Sequence, residues 1–286
     1  MKIIEKYQSA DKQSYKVLQL TDDNYLIETG VFNDFDTVHL CISSQIGCPI
    51  GCKMCYNGVA NNYYRNLTKI EIIEQVQNII DDLKLMDNFE NIWISFMGVG
   101  EPLLNYDNVI STINYFDKKY KNCNFAIATT LPQKESIYYL INDLKNIKRF
   151  KLTLSLHAAT DEKRKQLIPT HSSLADLREA MDLYKKYGDH KCEWNYVLLD
   201  NFNDSDEDYD KLLEFINRDD RIKISSYNEI EFGNFQKSNS ERYQKIHDML
   251  DQKNIYNVKF DSVGESIKVG CGQMAAKKLE KIRKGV

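Results

Sequence analysis

From residue 38 onward the sequence alternates short runs rich in β-branched and aromatic residues with longer amphipathic stretches, and that alternation leaves few architectures open. The strand-like runs are VHLCIS (38–43), NIWISFM (91–97), NFAIAT (124–129), FKLTLSL (150–156), CEWNYVLL (192–199), IKISSY (222–227) and YNVKFDS (256–262). Between most of them lie stretches of helical period. In TKIEIIEQVQNIIDDLKLM (68–86), Ile70, Ile73, Val76, Ile79, Ile80 and Leu83 form one predicted apolar stripe. The pattern implies an α/β fold with a mostly parallel sheet, as an open or closed barrel, in which chemistry collects at the C-terminal strand ends. Ahead of it, YKVLQL (15–20) and YLIETGV (25–31) flank Thr-Asp-Asp-Asn and read as a short N-terminal β-hairpin. Residues 1–34 are therefore expected to form a β extension packed on a main domain of residues 35–286.

The chain has no internal repeat, no low-complexity tract and only 4 prolines, so one compact unit is the expectation. No apolar run reaches the roughly 18–20 residues that cross a bilayer. The opening Met-Lys-Ile-Ile-Glu-Lys has no apolar leader, which predicts a cytoplasmic protein without membrane attachment. Seven cysteines, three of them crowded together, suit a metal or catalytic site in a reducing compartment better than a disulfide framework. A net charge of −4 offers no global attraction to polyanions, so contact with nucleic acid must come from local patches.

Cys48-x3-Cys52-x2-Cys55 follows the first main strand in the loop Gly-Cys-Pro-Ile-Gly-Cys-Lys-Met-Cys-Tyr. Three thiolates can ligate three irons of a [4Fe–4S] cluster and leave the fourth iron open. S-adenosylmethionine needs such an iron to chelate through its amino and carboxylate groups. A structural zinc site is the competing reading, but zinc takes four protein ligands in paired spacings and no His lies nearby. After the second strand comes Phe96-Met97-Gly98-Val99-Gly100-Glu101-Pro102. Its glycines permit close backbone approach to a ligand, and Glu101 can accept hydrogen bonds from an ammonium group; a tight turn with an incidental carboxylate is the alternative.

Six segments in order carry a specific resemblance: CISSQIGC (41–48), YRNLT (64–68), FMGVGEPLLN (96–105), SLHAATDEKR (155–164), YVLLDNFNDSD (196–206) and CGQM (271–274). Together they resemble the RlmN/Cfr family of radical S-adenosylmethionine methyltransferases, which act on adenosine in ribosomal and, in some cases, transfer RNA. The resemblance runs over nearly the whole chain and implies a partial (β/α)6 barrel with a C-terminal extension.

It also implies a chemistry. In the family, a cysteine of the C-terminal motif receives a methyl group from one S-adenosylmethionine, and that position is Cys271 here. A second S-adenosylmethionine, cleaved at the cluster, gives a 5′-deoxyadenosyl radical that abstracts hydrogen from the methyl. The resulting methylene radical adds to an amidine carbon of adenine, C2 or C8. A cysteine seven positions before the first cluster ligand, Cys41 here, resolves the cross-link, leaving a Cys41–Cys271 disulfide for an external thiol to reduce. The general base of the family lies thirteen residues earlier, where this chain has Glu28. Gly100, Glu101, Ser155, Leu156, His157 and Asn228 resemble the family's contacts to S-adenosylmethionine. His157 is expected to contact ligand without acid–base work, and Cys123 and Cys192, which match no motif, to pack in the core. Reduction of the cluster implies an electron donor such as flavodoxin or ferredoxin.

Departures bear on substrate. After the third strand the family's Ser-Thr-x-Gly turn is replaced by Ala128-Thr129-Thr130-Leu131-Pro132, and the Pro-rich segment after Asn228 by Glu229-Ile230-Glu231-Phe232-Gly233-Asn234. The family's N-terminal helical RNA-binding domain has no counterpart ahead of the first motif. RNA (rRNA or tRNA) is the expected partner, and a small molecule, nucleotide or peptide the alternative substrate. Lys118, Lys119 and Lys121, the run Lys145, Lys148, Arg149 and Lys151, and the tail Lys277, Lys278, Lys281, Arg283 and Lys284 are candidate phosphate contacts, with Tyr63, Tyr64 and Arg65 as candidate base-stacking residues.

Overall fold

The computed structural model describes residues 1–10, 12–170, 172–260, 274 and 278. In chain order the elements are β1 (Lys2–Gln8), β2 (Ser14–Leu20), β3 (Leu26–Asp34), β4 (Thr37–Cys41), β5 (Gln45–Ile46), α1 (Tyr56–Ala60), β6 (Arg65–Asn66), α2 (Lys69–Asp82), α3 (Leu85–Asn88) and β7 (Asn91–Phe96). A 3₁₀ turn (Pro102–Asn105) then leads into α4 (Tyr106–Lys119), β8 (Cys123–Thr129), α5 (Ser136–Leu144), β9 (Phe150–Ser155), α6 (Asp161–Leu167), α7 (Leu174–Tyr187), β10 (Lys191–Leu198), α8 (Asp206–Phe215), β11 (Arg221–Ser226), α9 (Ser240–Gln252) and β12 (Tyr256–Phe260).

Ten strands make one sheet in the order β1-β2-β3-β4-β7-β8-β9-β10-β11-β12, and β5 and β6 form a separate pair. From β4 to β12 every neighbour is parallel, as the alternating pattern requires. Among the described residues the sheet is thus a partial α/β barrel with β1 and β12 at its two edges. All seven predicted strands are present. The N-terminal part exceeds the predicted hairpin, because β1 adds a third antiparallel strand and β3 pairs with β4, so the meander continues the main sheet. β1 is a largely exposed edge strand, KIIEKYQ, with only two adjacent isoleucines among charged and polar residues, and such a run has little apolar signal to read.

Side-chain alternation assigns the two faces. Val17, Ile27, Val31, Val38, Leu40, Ile92, Ile94, Phe125, Ile127, Leu152, Leu154, Trp194, Tyr196, Ile222 and Ile224 pack with the helices in one large core. The intervening residues, among them Lys16, Glu28, Cys41, Ser95, Lys151, Glu193 and Lys223, fall on the opposite, inner face. On α2 the buried positions are Ile72, Gln75, Val76, Ile79 and Ile80, and Ile70 of the predicted stripe is 68% exposed. Thr68 caps this helix through a reciprocal capping box with Glu71, which sets its phase so that Ile72 points inward. Cys123 and Cys192 are buried, as expected.

Candidate active site

The loop carrying the three cysteines is seated by its own sequence. Its backbone is held by Lys53 N–H donating to the Leu167 carbonyl (2.8 Å) and Cys55 N–H to that of Cys52 (3.1 Å). Cys48, Cys52 and Met54 rest on an apolar patch of Ile50, Leu167, Ile168, Leu199 and Tyr227. Gly58 of α1 sits so close to Cys52 that a Cβ there would lie 2.2 Å from its carbonyl oxygen, so only glycine lets the loop fold back on the helix.

Burial pushes the Cys48 thiol up to about 12, with Cys55 and Glu101 adding to the shift. Cys52 is raised well above its ordinary value by burial and by its two partner cysteines, and Cys55 is raised by burial. Arg164 is the one cation that draws Cys52 the other way. Three desolvated thiols that feel one another need positive charge to ionise, and coordinated iron provides it. Among the described residues no three His, Cys, Asp or Glu side chains converge on a single ion. Three thiolates can each take one iron of a cluster. Cys48, Cys52 and Cys55 are the residues able to hold it.

Glu101 lies against this loop, fully buried. One carboxylate oxygen accepts from Thr129 Oγ1 (2.6 Å) and Leu103 N–H (3.1 Å), the other from Thr130 N–H and Thr130 Oγ1 (both 2.9 Å). Burial raises its pKa in spite of these four donors. The turn that departs from the Ser-Thr-x-Gly pattern is therefore the turn that grips Glu101. Gly98 and Gly100 are demanded by neighbouring chain: a Cβ on Gly98 would meet the Ile42 carbonyl at 2.6 Å, and one on Gly100 would meet Gln45 Cβ and Ser44 Oγ at 2.7 Å.

Ser155 ends β9, and its carbonyl accepts from Arg164 (3.3 Å), which also donates to the Thr130 carbonyl (3.0 Å). Arg164 thus ties the ends of β8 and β9 together beside Cys52. His157 is in the left-handed region (φ 57°), and its buried Nδ1 accepts from Val197 N–H (3.1 Å) while its carbonyl accepts from Asn203 (2.7 Å). Burial, with Arg164 and Lys223 nearby, pulls the imidazole down to about 3, so it is neutral and unsuited to shuttling protons at neutral pH. Asn228 lies just past β11, next to Tyr227 of the loop's apolar seat.

The remaining residues gather on the inner face of the N-terminal strands. Lys16, Gly30, Cys41 and Ser95 stand in one row across β2, β3, β4 and β7. Glu28, two residues before Gly30, is buried; its Oε1 lies 3.1 Å from the Lys16 ammonium, and its Oε2 accepts from the backbone N–H of Met274 at 2.8 Å. Met274 also packs on Leu18 and Leu26. Burial lowers Lys223, a shift that Glu193 and Cys41 oppose and Lys151 reinforces, which brings β11 into electrostatic reach of Cys41. Cys271 lies outside the described residues, as do the tail cations Lys277, Lys281, Arg283 and Lys284. Cys48, Cys52, Cys55, Cys123 and Cys192 are free thiols.

The chain is similar to known proteins over nearly its whole length. A model of the radical SAM superfamily matches residues 42–216. The probable dual-specificity RNA methyltransferase RlmN of Pseudothermotoga lettingae is 34% identical over 95% of this chain and 78% of its own length. The dual-specificity RNA methyltransferase RlmN of Vesicomyosocius okutanii is 32% identical over 99% and 80%. This chain belongs to the radical SAM superfamily and, within it, to the RlmN family. A crystal structure of a radical SAM methyltransferase from Sphaerobacter thermophilus superposes with a TM-score of 0.87 at 26% identity, covering 96% of this chain and 81% of that one.

Seen as an RlmN-family enzyme, the chain uses its motifs mainly to lock one another. Gln45 accepts from Glu101 N–H (2.8 Å) and donates to Asn66 (2.7 Å); Asn105 donates to the Ser44 and Leu67 carbonyls (2.7 and 2.8 Å). Arg65 is held by Asp23 and Glu71, and Lys151 is paired with Glu193 at 3.1 Å, so neither sits as a bare cation awaiting phosphate. Thr129 and Thr130 stand in the turn that departs from the Ser-Thr-x-Gly pattern, whereas Lys16 and Arg164 carry no role legible in the sequence. Arg164 closes a quoted motif, and that position was its one available signal.

Proposed function

We propose that this chain methylates an amidine carbon, C2 or C8, of adenosine in ribosomal or transfer RNA, with Cys271 as methyl carrier. The observation that carries the reading is the hydrogen bond from Met274, three residues beyond Cys271, to Glu28 on the face that Cys41 shares. A carboxylate, a thiol and the carrier's segment then meet in one corner of the sheet.

An amidine carbon is electrophilic and does not attack a sulfonium methyl; a [4Fe–4S] cluster on Cys48, Cys52 and Cys55, with S-adenosylmethionine on its open iron, would supply the radical chemistry instead. Gly100, Glu101, Ser155, Leu156, His157 and Asn228 line the cofactor's side, with Glu101 fixed by Thr129 and Thr130. Glu28 takes the proton from the substituted ring carbon. Cys41 attacks the Cys271 sulfur; the carbon–sulfur bond breaks as the disulfide forms, the freed methylene carbon takes a proton to become the product methyl, and the one electron left over from radical addition would return to the cluster. An external thiol and an electron donor such as flavodoxin or ferredoxin complete the cycle. The extension over residues 1–34 supplies the base to the domain over 35–286, and the enzyme works in the cytoplasm. No helix of the described residues is long and apolar enough to cross a membrane.

Trapping tests this. Cys41→Ala enzyme isolated from cells should carry a covalent RNA fragment on Cys271, and wild-type Cys271 should carry an added methyl by mass spectrometry. An adduct without a nucleotide would discard the RNA substrate, and an unmodified Cys271 in both proteins would discard the carrier.

A further inference from the structure

Lys16 has no role in the scheme above, yet its placement is costly. A lysine fully removed from solvent is rare unless paired, because the ammonium loses its hydration. Here the side chain is 0% exposed on the inner face of β2, and the carboxylate beside it is that of Glu28. The register makes the pair: Lys16 stands opposite Gly30 and Glu28 opposite Leu18, so the two are diagonal neighbours on one face. Gly30, which has no side chain, stands between Lys16 and Cys41 along their row. Leu18 and Leu26, with Met274 packed on them, wall the pair on its apolar side.

We propose that Lys16 is a positioning residue for the base: it holds Glu28 ionised and oriented, and it returns the carboxylate to that form after each turnover. The inference rests on the reading of Glu28 as base. In that step the C–H bond at the substituted ring carbon breaks, its electron pair stays with the ring, and the proton moves to a Glu28 oxygen. The buried ammonium then faces a neutral carboxyl where a carboxylate had stood, and the loss of that counter-charge is unfavourable. That imbalance drives the proton from Glu28 to solvent and restores the pair. Meanwhile the Met274 N–H holds the second oxygen, so the carboxylate is fixed at both ends, by β2 on one side and by the carrier's segment on the other.

Lys16→Met in the reconstituted enzyme is the test, with Lys16→Gln as a second neutral variant should Met not be tolerated and Lys16→Arg as the conservative one. The neutral variants should still form 5′-deoxyadenosine, but release methylated product at least tenfold more slowly and accumulate the covalent adduct, a share of the roughly 10²–10⁴ that a general base contributes. Isotope-edited infrared spectra should show a Glu28 carboxyl band in place of the carboxylate band, and Lys16→Arg should restore both band and release. A merely structural lysine would lower cleavage and release alike and leave the band in place. Wild-type release, or an ionised Glu28 in the neutral variants, would overturn the proposal. Glu28→Gln separates the two layers: if it releases product normally, the base assignment itself falls, whereas if it traps adduct and Lys16→Met does not, only the role of Lys16 falls.

Discussion

The corner around the cysteine loop and the corner around Glu28 solve the same problem, burying ionisable groups, in opposite ways. At the loop, three thiols and Glu101 are desolvated together, and each thiol is pushed away from its charged form. That corner is complete only when an external cationic group enters it. On the N-terminal strands the charges arrive already matched, Lys16 against Glu28, within 3.1 Å. One corner fits an added cationic group, and the other pairs a buried carboxylate with a buried ammonium. A metal site made of protein groups alone would be unstable without its metal, while a base must be ready before substrate comes.

The largest effects should split along that line. Replacing any one of Cys48, Cys52 or Cys55 by Ala removes an iron ligand, so the anaerobically reconstituted protein should lose the visible absorption of the cluster, 5′-deoxyadenosine and methylated product together, all to background. Glu28→Gln should lose product release by roughly 10²–10⁴ while cleavage of S-adenosylmethionine continues. A Cys55→Ala protein that still cleaves S-adenosylmethionine, or a Glu28→Gln protein that does not, would erase the distinction between the corners.

A smaller effect is expected inside the loop corner. Glu101 accepts four hydrogen bonds, and Glu101→Gln turns one acceptor oxygen into a donor that must face Thr129 or Thr130. Leaving such a buried donor unmatched costs about 1–3 kcal/mol. Thermal unfolding of the apoprotein should register that loss, and S-adenosylmethionine should bind more weakly to the reconstituted variant. Unchanged stability would mean the threonines do not grip Glu101 as tightly as their 2.6–2.9 Å distances imply.

How much of each corner could be read from the sequence differs for physical reasons. The cysteine loop is local: three ligands within one loop announce themselves by spacing, and the strand before and helix after it are set by period. The Glu28 corner is assembled from β2, β3, β4 and a residue some 246 positions along the chain, so spacing says nothing of it. Lys16 in YKVLQL shares its strand phase with Leu18 and Leu20, and nothing in that run says that the lysine is half of a buried pair. Alternation assigns a residue to a face but does not say whether that face is covered. The predicted α2 stripe includes exposed Ile70 and omits buried Ile72 and Gln75, the latter for a related reason. Gln75, which bonds Thr29 Oγ1 and both the N–H and carbonyl of Ser43, is a polar residue at the centre of the buried side, and an apolar template skips it. The fold followed from the repeated strand and helix units, each legible alone; buried polar couplings between distant segments were not.

The smallest expected effect concerns His157, the residue at a strand end most easily taken for an acid–base group. Its imidazole is held neutral, with a pKa near 3 against an ordinary 6.5, because burial opposes the charge and Val197 N–H occupies Nδ1. Protonation is therefore easier in the unfolded chain. The associated stability is present in full above about pH 6.5 and drains away as the pH falls from 6.5 toward 3, where the folded protein finally takes the proton. Between pH 7 and pH 5 this one group should account for about 2 kcal/mol. His157→Gln removes the titrating group, so its unfolding midpoint should fall less between those two pH values than that of the parent. His39 and His247, which burial also pulls down, remain in both proteins and cancel from the difference. Equal losses in parent and variant would show that His157 takes up its proton in the folded state, and would reopen it as a proton carrier at the cofactor side of the sheet.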